Sequence, residues 1–272
     1  MSAVPADLLA TVSNAAATSS APTADGLAFT LMAIVFLAFT VEATLGFGAT
    51  IVTVALGALV ADVTTVLPAF VPLNVAMSGY LFARYFRLAR FDLLLKLILP
   101  TMALGMPLGM LAFEHLDVVV LQKVFGTFVI ILACLELYRA RARARQKDLA
   151  PDPILSTPVE LGLLGLGGIV HGAFGTGGPM VVYVLGRRVA DKGEFRATLS
   201  FLWLVLNITL VIGYAANAKL TSSSLTTTLI LAPALVAGLL LGERLHHKVP
   251  AGIFRNAVYV MLLAAGLLIV LR

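Results

Sequence analysis

Apolar residues fall along this chain in long blocks separated by short polar segments, and the block lengths predict membrane-spanning helices. Uninterrupted blocks run at about 64–83, 92–112, 118–138, 198–216, 225–242 and 252–271, each close to the ~20 residues an α-helix needs to cross a bilayer. Two further blocks, about 27–60 and 158–185, are longer but cut near the middle by glycines. Such a cut predicts a broken helical segment instead of one straight crossing. The pattern is also written twice. Gly46-Phe47-Gly48 recurs as Gly175-Thr176-Gly177 at an offset of 175 − 46 = 129, and Asn74, Pro100, Gly105 and Gly109 recur as Asn207, Pro233, Gly238 and Gly242 at an offset of 207 − 74 = 133. Four residues inserted between the two sets reconcile the offsets.

Composition agrees with the pattern. The chain is 60% hydrophobic and 12% charged, with mean hydropathy +1.01, far from the balance of a soluble domain. Its pI near 9.6 raises nucleic acid as a partner, but the basic residues sit between apolar blocks, where membrane topology accounts for them and nucleic acid is not needed. Arg84, Arg87, Arg90 and Lys96 follow the 64–83 block, and Arg139, Arg141, Arg143, Arg145 and Lys147 follow 118–138. Arg187, Arg188, Lys192 and Arg196 precede 198–216, and Arg244, Lys248 and Arg255 separate the last two blocks. These are sixteen of the nineteen Lys and Arg, and by the positive-inside rule they mark cytoplasmic loops.

That assignment constrains the two broken segments. The 158–185 segment has basic residues on both sides, so it enters and leaves on the cytoplasmic side; the 27–60 segment does the same from outside. Each half is then one re-entrant hairpin plus three crossings, and three is odd, so the halves have opposite topology. The expected fold is an all-α polytopic membrane protein built as an inverted repeat, with the glycine tips of two opposed hairpins meeting near the midplane. The expected divisions are a disordered extracytoplasmic tail over 1–26, a first repeat over 27–138, a basic cytoplasmic linker over 139–157 and a second repeat over 158–272, with both termini extracytoplasmic. The first 26 residues carry no Lys or Arg, so they lack the basic region of a cleaved signal peptide. The lone Cys134 lies within a span and allows no intramolecular disulfide.

The interruptions are where chemistry is expected. Irregular backbone at bilayer depth is tolerated only where protein or a wet cavity satisfies its polar groups, and paired interruptions in two halves point to a transporter's binding site. Gly46, Gly48, Gly175, Gly177 and Gly178 permit positive φ and close approach, and Pro179 suits the first turn of a helix. Each second arm then starts at its tip. Two helix N-termini facing one cavity offer N–H donors and positive dipole ends, an anion site that needs no Arg or Lys. Candidate substrate contacts are Gly46, Phe47, Gly48, Ala49, Thr50, Asn74, Gly175, Thr176, Gly177, Gly178, Pro179 and Asn207. Glycines also serve as packing devices, the reading preferred for the G-x-x-x-G pairs Gly105/Gly109 and Gly238/Gly242.

Several polar residues admit two readings. Asn74 and Asn207, repeat equivalents, either cap their hairpin tips or touch the ligand. Glu42 and His171 are equivalents too, at 171 − 42 = 129, each four residues before its first tip glycine. They are proton-coupling candidates, since intramembrane ionisable groups are functional by default and His titrates near neutrality; the alternative is an ion pair tying the hairpins together. Thr44, Thr50, Thr53 and Thr176 flank the tips, though Thr often bonds its own helix. Tyr183 and Trp203 read equally as packing aromatics, His246-His247 as solvated loop, and Glu114, His115 and Asp117 as a solvated outer loop. No H-E-x-x-H, C-x-x-C, G-x-S-x-G or Walker pattern occurs, so neither enzyme chemistry nor ATP drive is expected, and no cofactor or metal site is visible. Exposed tip carbonyls leave room for sodium, which has no side-chain signature.

Leu45-Gly46-Phe47-Gly48 after an apolar run, and His171-Gly172-Ala173-Phe174-Gly175-Thr176-Gly177-Gly178-Pro179-Met180-Val181-Val182, together resemble the sulfite exporter TauE/SafE family of bacterial membrane proteins, the sulfonate-uptake permease group. The likeness covers about residues 27–271. Phe174 to Pro179 follows the family's Phe, Gly, any residue, Gly, Gly, Pro opening a helix, whereas the first copy reads Gly48-Ala49-Thr50 in place of a glycine triplet. The resemblance implies secondary transport of small sulfur-containing or organic anions (sulfite, sulfonates, carboxylates) across the bacterial inner membrane and leaves the coupling ion open. Alternating access is the expected mechanism, and Glu42 and His171 make proton coupling the expectation. Direction stays open, as does an anion channel with the hairpins as filter. The expected partners are a small anion, the lipid bilayer and a second copy in a homodimer through lipid-facing spans.

Overall fold

The structure is a computed structural model that describes residues 24–145, 154–189, 191–248 and 251–271. It is all-α: no strand occurs among the described residues. The helices are α1 (Ala24–Leu45), α2 (Ala49–Gly57), α3 (Val63–Tyr85), α4 (Leu99–His115), α5 (Val118–Arg145), α6 (Thr157–Phe174), α7 (Gly178–Leu185), α8 (Lys192–Ala216), α9 (Ser222–Lys248) and α10 (Ala251–Leu271). Short turns link α3 to α4, the last of them a π-turn at Leu94–Ile98 just before Pro100. Proline has no N–H and its ring collides with a regular i−4 carbonyl, so a widened turn ahead of it is the expected relief. Seven helices among the described residues are long and apolar enough to cross a membrane, and Asn256–Leu271 forms a shorter apolar stretch. This is a multi-pass membrane protein.

Both broken segments are hairpins with unequal arms. The first pairs the 22-residue α1 with the 9-residue α2, and the second pairs the 18-residue α6 with the 8-residue α7. The long arms, about 33 and 27 Å at helical rise, are far longer than the returns of about 14 and 12 Å.

Glycine rows fix how these arms pack. Gly105 and Gly109 of α4 lie against the carbonyl oxygens of Gly165 and Ile169 in α6, so closely that a Cβ at either would overlap them. Gly238 and Gly242 of α9 lie the same way against Phe36 and Thr40 of α1. Residue 36 is 165 − 129 and residue 40 is 169 − 129, so the two contacts correspond position by position under the offset read from the sequence. Both pairs run parallel: contacts climb together along α4 and α6, and along α1 and α9. The other two major pairings are antiparallel. Gly79 of α3 meets Leu204 of α8 and Phe82 meets Phe201 at 4.8 Å, while Gly126 of α5 meets Gly266 of α10. The packing reading of the G-x-x-x-G glycines is what the structure displays.

Basic residues from distant segments gather at one end of this bundle. There the Arg90 N–H donates to Thr198 Oγ1 at 3.0 Å, Arg90 pairs with Glu194 at 3.5 Å, and the Arg139 guanidinium stands 4.2 Å from the Tyr183 ring. Glu160, fully buried at the start of α6, accepts from Nε and Nη2 of Arg188 at 2.8 and 2.6 Å, which closes the base of the second hairpin. The bond raises the Arg188 guanidinium above its ordinary pKa. Asn217 donates to Glu114, and Thr228 Oγ1 donates to the Ala69 carbonyl at 2.7 Å; both contacts lie at the opposite end.

Helix α5 runs on through Arg145, into the stretch expected as a basic linker; residues 146–153 lie outside the described set, as do residues 1–23 of the expected tail. Two sequence expectations change here. His246 belongs to α9, not to a solvated loop, and its Nδ1 reaches the Thr44 carbonyl oxygen at 2.8 Å. Arg196, expected in a loop, is the fifth residue of α8 and is 8% exposed.

Candidate functional site

The hairpin tips do not meet end to end; they run past one another. Gly46 lies against Arg196 near the start of α8, whereas Gly175 lies against Leu210 of the same helix. Arg196 and Leu210 lie in opposite halves of α8 and the hairpins come from opposite ends, so the tips pass one another. With Thr50 beside Gly175 and Phe47 beside Gly178, the overlap spans the first turn of each short arm. The reason is arm length: each long arm reaches most of the way through the bundle before turning. Within the overlap the starts of α2 and α7 stand side by side, with the Phe47 ring 3.5 Å from where a Gly178 Cβ would be and Thr50 Cγ2 at 3.1 Å from that of Gly175.

Among the described glycines, positive φ occurs at Gly46 (87°), Gly48 (110°) and Gly175 (65°), all at the hairpin tips. At these turns a side chain would be strained. Gly177 serves space instead: its φ is −97°, and a Cβ there would strike the Gly167 carbonyl oxygen. Gly178 has room for a methyl group and walls a cavity.

That cavity has a volume of about 20 Å³ and is lined by Glu42, Gly48, Thr50, Asn74, Gly175, Thr176, Gly178, Trp203 and Asn207. It has room for roughly one water molecule. Eight of these nine were candidates from sequence. Phe47, Thr176 and Pro179 border a second, apolar void of about 10 Å³ with Val258, Tyr259 and Leu262 of α10. Gly46, Ala49, Gly177 and His171 back the cavity without lining it.

Glu42 and His171 do parallel jobs, each within its own hairpin. Glu42 Oε2 accepts from the Ala49 N–H at 3.1 Å, and His171 Nδ1 accepts from the Gly177 N–H at 3.4 Å. Each side chain in a long arm thereby satisfies an N–H at the start of the short arm, where helical N–H groups lack partners. The two are not paired with each other, so the ion-pair reading is not what the structure contains. The neutral imidazole, accepting at Nδ1, carries its proton on Nε2. That atom is buried with no partner, and the ring stacks on Trp203 at 5.8 Å and 10°.

The two asparagines differ. Asn74 donates to Thr50 Oγ1 at 2.8 Å, a tie to its own hairpin. Asn207 has no hydrogen bond on either amide atom. Repeat symmetry explains this, since the counterpart of Thr50 is 50 + 129 = 179, and Pro179 has no hydroxyl. Trp203 Nε1 is likewise buried without a partner. Unsatisfied buried donors cost roughly 1–3 kcal/mol each, and those of Asn207 and Trp203 face the same cavity. Trp203 was not singled out from sequence, where it read equally as packing. Its usable signal was position: it precedes Asn207 by four residues, one turn earlier on the same helical face.

Comparison with known proteins agrees with this architecture. The family described as Sulfite exporter TauE/SafE matches residues 31–269. A probable inner membrane transporter protein, TsaS of Comamonas testosteroni, is 33% identical over 104 residues, 38% of this chain and 44% of that protein. The matched stretch thus spans less than half of that relative's length. No solved structure matches. With most of its length matched to that one description, the chain belongs to the sulfite exporter TauE/SafE family, and it is a multi-pass membrane protein.

Proposed function

We propose that this protein carries small sulfur-containing or organic anions (sulfite, sulfonates, carboxylates) across the bacterial inner membrane by alternating access, coupled to protons, with the anion bound between the overlapping hairpins. The observation that carries this reading is the cluster of unpartnered buried polar groups around the cavity, Asn207 and Trp203 foremost. Helix N-termini on both sides favour negative charge. In this reading Asn207 and Trp203 donate to the anion's oxygens, while α2 and α7 supply backbone N–H groups. Glu42 also lines the cavity. A carboxylate beside an anion repels it, so a proton enters with the anion and sits on Glu42. The position-by-position match of α4 on α6 with α9 on α1 supports an inverted repeat, and the basic end of the bundle becomes cytoplasmic by the positive-inside rule.

A carrier is favoured over a channel by the cavity's size. A space of about 20 Å³ fits one water and not a four-atom oxyanion, so binding requires the hairpins to part. The test is sulfite uptake into proteoliposomes with and without an imposed pH gradient, for wild type and Gly178→Leu, whose side chain fills the cavity. The proposal expects saturable, gradient-driven accumulation that the substitution abolishes. Non-saturating flux that only follows the sulfite gradient would favour a channel instead.

A further inference from the structure

Among the described residues, Arg196 is the cation that the fold carries from the basic end to a hairpin tip. It packs its aliphatic stem on Gly46, 3.5 Å from where a Cβ would lie, with its guanidinium 5.2 Å from the Tyr85 ring centroid. Glu243 of α9 faces it at 3.8 Å. That is an ion pair without a hydrogen bond: Arg196 Nε and Nη2 and Glu243 Oε1 are all buried and unbonded. A guanidinium in a structural tie adopts short, forked bonds, as Arg188 does with Glu160 at 2.8 and 2.6 Å. A buried cation that forgoes such bonds, facing a carboxylate that is only partly buried, bears much of its desolvation penalty uncompensated. Neither has a repeat counterpart, since residues 196 − 133 = 63 and 243 − 133 = 110 are Val63 and Met110. The device therefore exists at one end only. Glu42, which lines the cavity, lies within electrostatic reach of Arg196.

We propose that Arg196 is a second anion site at the basic-end exit of the cavity, receiving the carboxylate or sulfur oxyanion in transit, and that Glu243 is its tethered stand-in when no anion is there. The proposal rests on the anion-carrier reading above. In a bidentate grip the arriving oxyanion gains the two hydrogen bonds that the Glu243 carboxylate leaves unmade. Glu243 is then displaced, and it returns when the anion leaves. The guanidinium is thus never exposed as a lone buried charge.

A structural tie and a ligand site make opposite predictions for the two partners. The full chain in lipid nanodiscs is melted in sulfite and in chloride at equal ionic strength, as wild type, Arg196→Gln and Glu243→Gln. Binding to the folded state raises the melting temperature, by an amount that grows with the logarithm of ligand concentration over Kd. The proposal expects the sulfite-dependent rise to grow in Glu243→Gln, where the competitor has lost its charge, and to shrink in Arg196→Gln. Binding curves should show half-saturation falling at least 3-fold in the first variant and rising at least 10-fold in the second. Equal sulfite responses in both variants, or none in any of the three, would overturn it. Trp203 emission under the same sulfite titration judges the central cavity independently. A normal emission response with unchanged melting behaviour defeats the Arg196 site alone, whereas loss of both defeats the carrier reading.

Discussion

Asn74 and Asn207 show how one residue type at equivalent places acquires different duties. Thr50 accepts from Asn74 Nδ2, leaving only Asn74 Oδ1 unbonded, whereas Pro179, in the equivalent position, leaves both Asn207 amide atoms without a partner. Replacing Asn207 with Ala should raise the half-saturation for sulfite roughly 10- to 100-fold, the worth of a hydrogen bond to a charged group, with little change in melting temperature. Replacing Asn74 with Ala should do the reverse, lowering stability by about 1–2 kcal/mol by stranding the buried Thr50 hydroxyl; uptake kinetics and thermal melts of both variants check this. Glu42→Gln retains an oxygen to accept from Ala49 but cannot lose a proton. Downhill sulfite flux should survive in it while pH-driven accumulation disappears. The equivalence of these residues was legible in the sequence as an offset. Their inequality lay in the sequence too, as Thr50 against Pro179, but only the fold shows that Thr50 faces Asn74.

Helix lengths were largely readable from apolar runs, and so were the breaks, because a glycine cluster ending in Pro179 cannot continue a helix. Depth was not readable. Hydropathy reports how long an arm is, not how far it slides past a neighbour, and the register is set by glycine contacts between elements far apart in sequence. Gly109 and Gly242 fix that register by admitting another helix's backbone at near contact. Gly109→Ala should therefore lower stability by about 1–3 kcal/mol or more, as overpacking does. Gly162→Ala in α6 meets nothing within 4 Å and should leave the protein equally or slightly more stable, since alanine favours helix by up to ~1 kcal/mol. Thermal melts in detergent compare the two. Equal destabilisation would refute the glycine-row account of packing. The Arg188–Glu160 bond, joining the two open ends of the second hairpin, had no sequence signal, as it depends on where α7 stops.

At the scale of the whole molecule, basic segments separated by a hundred residues converge, with Arg90 meeting Glu194 and Thr198. In a Cys134→Ser background, a cysteine at Lys219 should react with a membrane-impermeant maleimide on intact cells, and one at Arg90 only after permeabilisation. Labelling in the opposite order would invert the proposed orientation. The whole-molecule pattern was legible as charge between apolar blocks, but the passage of one hairpin beyond the other was not, and neither was the removal of Arg196 from the loop. The central claim is that an anion enters the space between those hairpins. Trp203, the chain's single tryptophan, lines that space with its Nε1 unbonded, so its emission reports on occupancy without an added label. The decisive measurement is that emission in nanodiscs titrated with sulfite against chloride at constant ionic strength, with Gly178→Leu alongside. A saturable change in wild type that Gly178→Leu lacks is the predicted result. An emission spectrum indifferent to sulfite, in protein that transports it, would place the anion elsewhere.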